Sequence, residues 1–198
     1  MIHPHTELQF ISDEMGYGVV ATKLIPKGTI TWVQDKLDIV LSSAQIDAMS
    51  DFYKNILDFY TFRNNKGDYV LCWDHAKYVN HSFRSNCLTT PYDFEIAIRD
   101  IYPGEQLTDD YGYLNISRPF RGIREGTRRR IVYPDDLLKY HKKWDKSIAE
   151  AFVHITDVEQ PLEEILAPDI LEKIKNISQG EETLDSILSC YFQEGENN

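Results

Sequence analysis

The spacing of apolar and polar residues divides the chain into two parts. Up to about residue 117, apolar residues come in short runs, such as 19–22, 29–33 and 69–73, separated by turn residues. Short runs bounded by Gly, Pro and Asn are typical of strands in a β-rich domain. From Pro134 onward, apolar residues recur every three or four positions, which predicts amphipathic helices. The pattern therefore predicts a mostly β structure followed by a helical tail.

One stretch inside the β-rich part has helical spacing. Its apolar positions are Ile46, Met49, Phe52 or Tyr53, Ile56, Phe59 and Tyr60. Either Ser42 or Ser43 is a suitable N-cap, so we predict a helical insertion over about 42–62. Turns are predicted at 16–18, 26–28, 64–68 and 103–104. The tail carries three apolar stripes, over 137–155, 170–177 and 184–192.

The composition excludes several protein classes. Hydrophobic residues make up 42% of the 198 residues and charged residues 27%, which is typical of a globular protein. No apolar run approaches the ~20 residues needed to cross a bilayer, so no membrane partner is expected. The first ten residues lack the basic and apolar regions of a signal peptide. Three isolated cysteines favour a reduced interior and indicate neither a disulfide framework nor a zinc cluster.

Charge is distributed in three zones along the chain. The net charge is -11. Residues 1–117 carry -7, residues 118–130 carry +5 from six arginines and one glutamate, and residues 131–198 carry -9. An acidic body argues against direct nucleic-acid binding, which requires a basic face, and favours a basic partner.

Three polar segments are candidates for chemistry. They are Gly16-Tyr17-Gly18, then Asn80-His81-Ser82 with Asn86 following, and Gly104 to Gly112 with its acidic pair and Tyr111. Taken singly, each has an ordinary interpretation as a turn, a self-capping loop or a hairpin end. Glycines allow close approach to the backbone, and a polar cluster beside apolar residues must be paired or bind a ligand.

In this order and spacing, and with Lys23 and Pro26-Lys27-Gly28 after the first segment, the motifs resemble the SET-domain family of protein lysine methyltransferases. The resemblance covers about residues 6–120. It implies a mostly β fold with α additions, in which small curved sheets surround a knot-like crossing. Leu107 to Tyr111 would thread beneath the loop that holds Asn80-His81-Ser82, a rare arrangement in proteins.

The resemblance also implies a division of the chain. Residues 1–120 would form the SET-like catalytic domain, with the helical insertion inside it. Residues 121–133 would be an Arg-rich connector in place of the family's zinc motif, and 134–198 a helical C-terminal tail. The tail is expected to pack on the domain, with a homodimer surface as the alternative.

The activity implied is transfer of methyl groups from S-adenosylmethionine to protein lysines, leaving S-adenosylhomocysteine. The attacking amine must be neutral, although free lysine has a pKa of about 10.4, so the site must remove water from it. Tyr111 is the catalytic candidate, acting by positioning rather than as a general base. The cofactor-binding candidates are Gly16, Tyr17, Gly18, Tyr78, Asn80, His81, Tyr111 and Phe120. Either Tyr60 or Tyr69 is a further channel tyrosine.

The chain departs from the family at its zinc site. The four ligand positions align with Phe83, Arg121, Ile123 and Arg128, so no thiolate is present and no zinc is expected. Asp109 replaces a phenylalanine, and its carboxylate would repel the cofactor's carboxylate, attract a lysine or point to solvent. Ser85 replaces the family's proline.

The expected substrate is a basic, lysine-containing protein segment, for example of a histone or a ribosomal protein. The alternative function is a catalytically weak SET-like module that binds a peptide or partner. Small stand-alone members of the family make the cytoplasm the default location, with secretion into a host cell or the nucleus as alternatives.

Overall fold

The computed structural model describes residues 1–193, so the last five residues of the predicted tail lie outside the described part. Its strands are β1 (Thr6–Ser12), β2 (Gly16–Ala21), β3 (Ile30–Val33), β4 (Ile39–Leu41), β5 (Thr61–Arg63), β6 (Tyr69–Leu71), β7 (Asn80–His81), β8 (Cys87–Thr89), β9 (Phe94–Ala97), β10 (Thr108–Asp109), β11 (Phe120–Arg121) and β12 (Ile131–Val132). Its α-helices are α1 (Ser43–Asp47), α2 (Asp51–Tyr60), α3 (Asp136–Phe152) and α4 (Pro168–Ser178). Short 3₁₀ turns cover His75–Tyr78, Tyr111–Tyr113, Glu163–Ile165 and Ile187–Cys190.

The strands form five small sheets, which confirms a mostly β fold with added helices. β1 and β2 form an antiparallel hairpin, and β11 pairs with β12 in a second one. Two three-stranded antiparallel sheets have the orders β3-β9-β8 and β4-β6-β5. The fifth sheet is parallel: in it β10 lies beside β7, with Thr108 opposite Asn80 and Asp109 opposite His81. This pairing brings two distant polar motifs into contact.

The core consists of two clusters of buried side chains that the β3-β9-β8 sheet separates. Ile30, Phe94 and Ile96 belong to the cluster that contains the tail helices. Trp32 and Ala97 belong to the other cluster, with residues of the β1–β2 hairpin. Successive residues of a strand face opposite sides of its sheet, and an irregularity in the register between Ile30 and Trp32 places these two on different sides, so one sheet supports both clusters. The helical tail packs on the β-rich part, burying Trp144 and Ile148 of α3.

The helical insertion is two helices rather than the single predicted stretch. Ser42 caps α1 in a capping box with Gln45, and α2 begins after Ser50. Helix α2 buries only Leu57 and leaves Phe52, Tyr53 and Phe59 exposed, with Phe59 at 78%. The helical backbone is interrupted over 48–50 (Ala-Met-Ser), where Ser50 precedes the acidic first turn of α2, a sequence that favours a new helix N-terminus.

Two further predictions were wrong in detail. The predicted turn at 16–18 lies earlier, at Asp13 to Met15, and the two glycines are inside β2. The third apolar stripe of the tail forms only the 3₁₀ turn Ile187–Cys190. Its backbone is held by tertiary bonds instead, since the amide of Ile187 and the hydroxyl of Ser186 both donate to Asp145.

Within residues 1–193, no helix combines the length and the apolarity required to span a membrane.

Candidate functional site

The first part of the candidate site lies where the β1–β2 hairpin meets β7. Asn80 donates through Nδ2 to the carbonyl of Tyr17 (3.0 Å) and to Oε1 of Gln106 (3.0 Å). A Cβ built on Gly18 would stand 2.8 Å from Asn80 Nδ2 and would also overlap Gln106 Oε1. Gly18 is therefore required for this close approach. Gly16 has φ of +73° and open space around it, so its need for glycine is conformational.

Aromatic rings continue from this point toward helix α2. The ring of Tyr17 lies 6.4 Å from that of Tyr78, and Tyr78 lies 5.6 Å from Tyr60. Tyr69 is elsewhere: it lies beneath the guanidinium of Arg63 and lines a cleft of about 350 Å³. The sequence left open whether Tyr60 or Tyr69 is the further channel tyrosine. The ring contacts connect Tyr60 to the Asn80 part of the site.

The second part is an aromatic cluster around His81. The rings of Phe83, Phe120 and Tyr111 lie 4.5, 5.3 and 5.4 Å from the imidazole. Phe120 reaches this position because β11 and β12 fold the connector back over β7. A Cβ on Gly122 would come within 3.0 Å of His81 Nε2 and 2.7 Å of Phe83. The connector thus covers one side of the imidazole at close range.

His81 is a neutral imidazole with a defined tautomer. Burial, followed by the charge of Arg129, lowers its pKa to about 4. Its Nδ1 accepts the amide hydrogen of Tyr111 (3.2 Å), so the ring hydrogen resides on Nε2. Nε2 is buried and has no protein partner among the described residues. A buried N–H donor of this kind fits an acceptor atom of a ligand or water.

Tyr111 is held at both its backbone and its hydroxyl. Its O–H donates to the carbonyl of Val79 (2.6 Å), directly before Asn80 in the chain. Burial raises the pKa of the Tyr111 hydroxyl, and the nearby carboxyl groups of the Asp109–Glu95 pair raise it further. The hydroxyl therefore stays protonated at neutral pH, and its lone pairs remain available as hydrogen-bond acceptors.

Asp109 does not point to solvent, as one sequence interpretation had it. Its side chain is buried and accepts a hydrogen bond from the Tyr113 hydroxyl (2.9 Å). It also hydrogen-bonds Glu95, and burial raises the pKa of Asp109 to about 6 and that of Glu95 well above its usual value. The pair therefore retains a proton, and its carboxylate is directed into the core.

Asn86 and Ser82 have structural partners. Asn86 accepts through Oδ1 from the amide of Thr108 (2.8 Å) and donates through Nδ2 to the carbonyl of Gln106 (2.7 Å). The backbone of Ser82 donates to the carbonyl of Asp109 (2.8 Å), and its hydroxyl caps Arg84. The hydrogen bonds of these two polar residues hold β10 beside β7. This agrees with the ordinary interpretation of the segment as a loop that caps itself.

Seven of the eight predicted cofactor-binding residues are connected by these contacts, namely Tyr17, Gly18, Tyr78, Asn80, His81, Tyr111 and Phe120. The eighth, Gly16, begins strand β2 and has open space around it. The sequence missed Gln106, Phe83 and Gly122, which contact Asn80 or His81. Gln106 lay inside a motif that we recognised, so it could have been included. Phe83 and Gly122 had no signal of their own, because their contacts depend on the folded connector.

A metal site has no support among the described residues. Within residues 1–193, no three His, Cys, Asp or Glu side chains form a group that could hold a metal ion. Phe83, at one of the four family ligand positions, instead packs its ring on His81. The absence of zinc stays a prediction drawn from the missing thiols.

Comparison with known proteins identifies the domain. The family model described as the SET domain matches residues 16–112. None of the curated proteins compared matches the chain. One solved structure, a "putative histone methyltransferase" of Plasmodium falciparum, is 17% identical, covers 56% of this chain and 95% of its own, and has a TM-score of 0.41. The matched residues begin at the first glycine of β2 and end directly after Tyr111, so they enclose the Asn80–His81 region. The chain therefore contains a SET domain, over residues 16–112.

Proposed function

We propose that the protein transfers methyl groups from S-adenosylmethionine to lysine side chains of a basic protein. SET domains are usually protein lysine methyltransferases and generally use this cofactor. The observation that carries the proposal is the attachment of Tyr111 to the Asn80–His81 segment, through the imidazole Nδ1 and the carbonyl of Val79. The motif that would bind cofactor and the tyrosine that would face the lysine are thereby one unit.

The residues present fit such a cofactor on chemical grounds. Asn80, with Gly18 beside it, presents an amide side chain at a point of close backbone approach, which suits the polar methionine end. The unpartnered Nε2–H of His81 and the rings of Tyr111 and Phe120 suit a flat heteroaromatic group. When bound, S-adenosylmethionine supplies an electrophilic methyl group on a sulfonium.

The chain's own residues would orient the lysine and exclude water. Tyr111 donates its hydroxyl hydrogen to the Val79 carbonyl, so its oxygen can accept a hydrogen bond from the lysine amine. With its pKa raised, the hydroxyl does not serve as a general base. The lysine must therefore lose its proton to solvent as it leaves water, since burial favours the neutral amine. Alignment of the nitrogen with the methyl group then supplies much of the rate.

The knot-like crossing is part of this proposal. It is supported by the parallel pairing of β10 with β7 and by the hydrogen bonds from Ser82 and Asn86 amides to the 108–109 backbone. A basic substrate is supported by the net charge of -7 over residues 1–117. Opposite charge would speed encounter with a cationic segment, with a strong dependence on ionic strength.

The test combines binding and turnover. Calorimetry with S-adenosylmethionine should give saturable binding, and no binding at high micromolar cofactor would contradict the proposal. Tyr111→Phe should reduce transfer of labelled methyl to a mixture of basic proteins by about 100-fold while leaving cofactor affinity unchanged. Tyr102→Phe, at an exposed tyrosine, is the matched control and should transfer normally. Cofactor binding without transfer to any basic protein would favour the alternative, a SET-like binding module.

A further inference from the structure

Arg129 is the one connector arginine whose guanidinium the structure places in an interior charge cluster. It forms ion pairs with Asp110 and with Asp136, whose side chains are both at most 4% exposed. The Arg129 side chain itself is 17% exposed, whereas its neighbours Arg128 and Arg130 are exposed. Charge pairs at this depth depend on each other, because removing the cation leaves two carboxylates without compensation.

Three aromatic rings enclose the same guanidinium. Its central carbon lies 5.0 Å from the ring centre of Phe83, 4.9 Å from that of Tyr140 and 5.8 Å from that of Trp144. A planar guanidinium can pair with two carboxylates while it stacks on rings, and the compact ammonium of lysine cannot do both. The site is therefore specific for arginine.

The cluster acts directly on the turn that carries Tyr111. Asp110 precedes Tyr111 and uses one carboxylate oxygen to cap the amide of Gly112 (3.1 Å), while the other pairs with Arg129. A Cβ on Gly112 would overlap Arg129 Nη2 and would lie 3.0 Å from Asp136 Cβ. The Tyr111–Tyr113 turn thus packs against the guanidinium without an intervening side chain.

The cluster also fixes the wall of the His81 part of the site. Phe83 stacks on Arg129 and contacts His81, and its amide donates to Glu125 of the connector (2.8 Å). Asp136 is the first residue of helix α3 and accepts the amide of Tyr133 (2.8 Å), which lies in the connector just before the helix. One side chain therefore joins the connector, helix α3 and the Tyr111 turn.

We propose that Arg129 is a positioning residue for methyl transfer, which fixes Tyr111 and the His81 wall by joining Asp110 to Asp136. This inference rests on the proposed function. Where the resembling family has its zinc ligands, this chain has Phe83, Arg121, Ile123 and Arg128, none of which is a thiol. In this proposal, one arginine and two aspartates join the segments instead. Arg129 touches neither substrate nor cofactor in this role, and its effect passes through Asp110 to the neighbouring Tyr111.

The experiment compares Arg129→Lys with the matched exposed controls Arg128→Lys and Arg130→Lys. We expect Arg129→Lys to lower kcat by about 10–100-fold, because small displacements of a reacting group cost this much, and to change KM for the protein substrate little. In a Tyr111→Phe background the same change should lower kcat by less than 3-fold, since the positioned hydroxyl is already absent. An equal loss in both backgrounds, or equal kcat for Arg129→Lys and Arg128→Lys, would overturn the inference.

A second readout does not depend on turnover. In protein labelled with 3-fluorotyrosine, the ¹⁹F resonance of Tyr111, assigned by its loss in Tyr111→Phe, should shift or broaden in Arg129→Lys and stay in place in both controls. If Arg129→Lys does not fold, Asp136→Asn replaces it and should move the same resonance. An unmoved resonance overturns the positioning role, whereas an inactive wild type with a moved resonance refutes only the proposed function.

Discussion

Replacing Tyr113 by phenylalanine tests the buried acid pair next to the candidate site. The Tyr113 hydroxyl donates to Asp109 (2.9 Å) and accepts the amide hydrogen of Asp110 (3.1 Å). Burial raises the pKa of Asp109 to about 6, and that of Glu95 rises well above its usual range because of burial and the adjacent Asp109 charge. Above pH 6, Asp109 therefore carries the charge of the pair and Glu95 holds the proton.

The size of the effect follows from the two lost hydrogen bonds. A hydrogen bond to a charged group contributes about 1.5–3 kcal/mol to stability, and one to a neutral group about 1 kcal/mol. Leaving the Asp110 amide without its acceptor costs about 1–3 kcal/mol at any pH. Tyr113→Phe should thus destabilise the protein at both pH 5 and pH 8. The loss should be larger at pH 8 by about 1–2 kcal/mol, because Asp109 is charged only there.

The pH dependence of the wild type contains opposing contributions. The raised pKa values of Asp109 and Glu95 give stability that is present below pH 4 and is lost as the pH rises through their folded values, which for Asp109 is about 6. Burial lowers the pKa of His3 and of His81 to about 4, so their contribution is present above pH 6.5 and is lost as the pH falls toward 4. Only the difference between variant and wild type isolates Asp109.

The assay is urea unfolding followed by far-UV circular dichroism at pH 5 and pH 8, at one ionic strength. Tyr92→Phe is the matched control, because its hydroxyl accepts the amide of Asp185 (2.8 Å), which is not a member of the acid pair. Tyr92→Phe should lower the free energy of unfolding by the same amount at pH 5 and at pH 8. The reasoning is refuted if Tyr113→Phe loses the same free energy of unfolding at pH 5 and at pH 8.

Two further substitutions test the glycine cradle and the attachment of the tail. Gly18→Ala should weaken cofactor binding more than 10-fold in calorimetry, because its Cβ would displace Asn80, whereas Gly104→Ala, with a positive φ but open space, should leave affinity unchanged. Asn115→Ala should destabilise the protein by about 2–4 kcal/mol in urea unfolding, since its amide bonds 63, 190 and 192 of the backbone. Asn65→Ala, which removes one exposed bond to the tail, should cost less than about 1 kcal/mol, and equal losses would contradict this account.

Patterns of local origin were predicted well. Strand β3 lies within the predicted run 29–33, and β6 within 69–73. Helix α3 follows the 137–155 stripe, because a buried apolar face repeats at the helical period whatever it packs against. The helical stretch after Ser42 was also predicted, but its division into two helices at Ser50 was not. A single serine in a helical pattern does not show whether it lies inside one helix or precedes a second one.

The site was predicted as a set of motifs and not as a geometry. Order and spacing indicated Gly16 to Gly18, Asn80-His81 and Tyr111 as separate segments. The parallel pairing of β10 with β7 brings the last two together across a gap of 28 residues. The direction of the Asp109 side chain depends on this pairing, because adjacent residues of a strand face opposite sides and a shift of one position would reverse them.

The connector shows most clearly what the sequence determines and what only the tertiary structure determines. The sequence by itself determined that six arginines lie at 118–130, that the family's zinc thiols are absent, and that acidic segments flank them. It did not distinguish Arg129 from Arg128 or Arg130. Only the tertiary structure did so, because the pairing of β11 with β12 and the start of helix α3 direct one guanidinium between two buried carboxylates. Composition fixes which charges a chain carries, whereas burial and proximity, which are properties of the fold, decide which of them act.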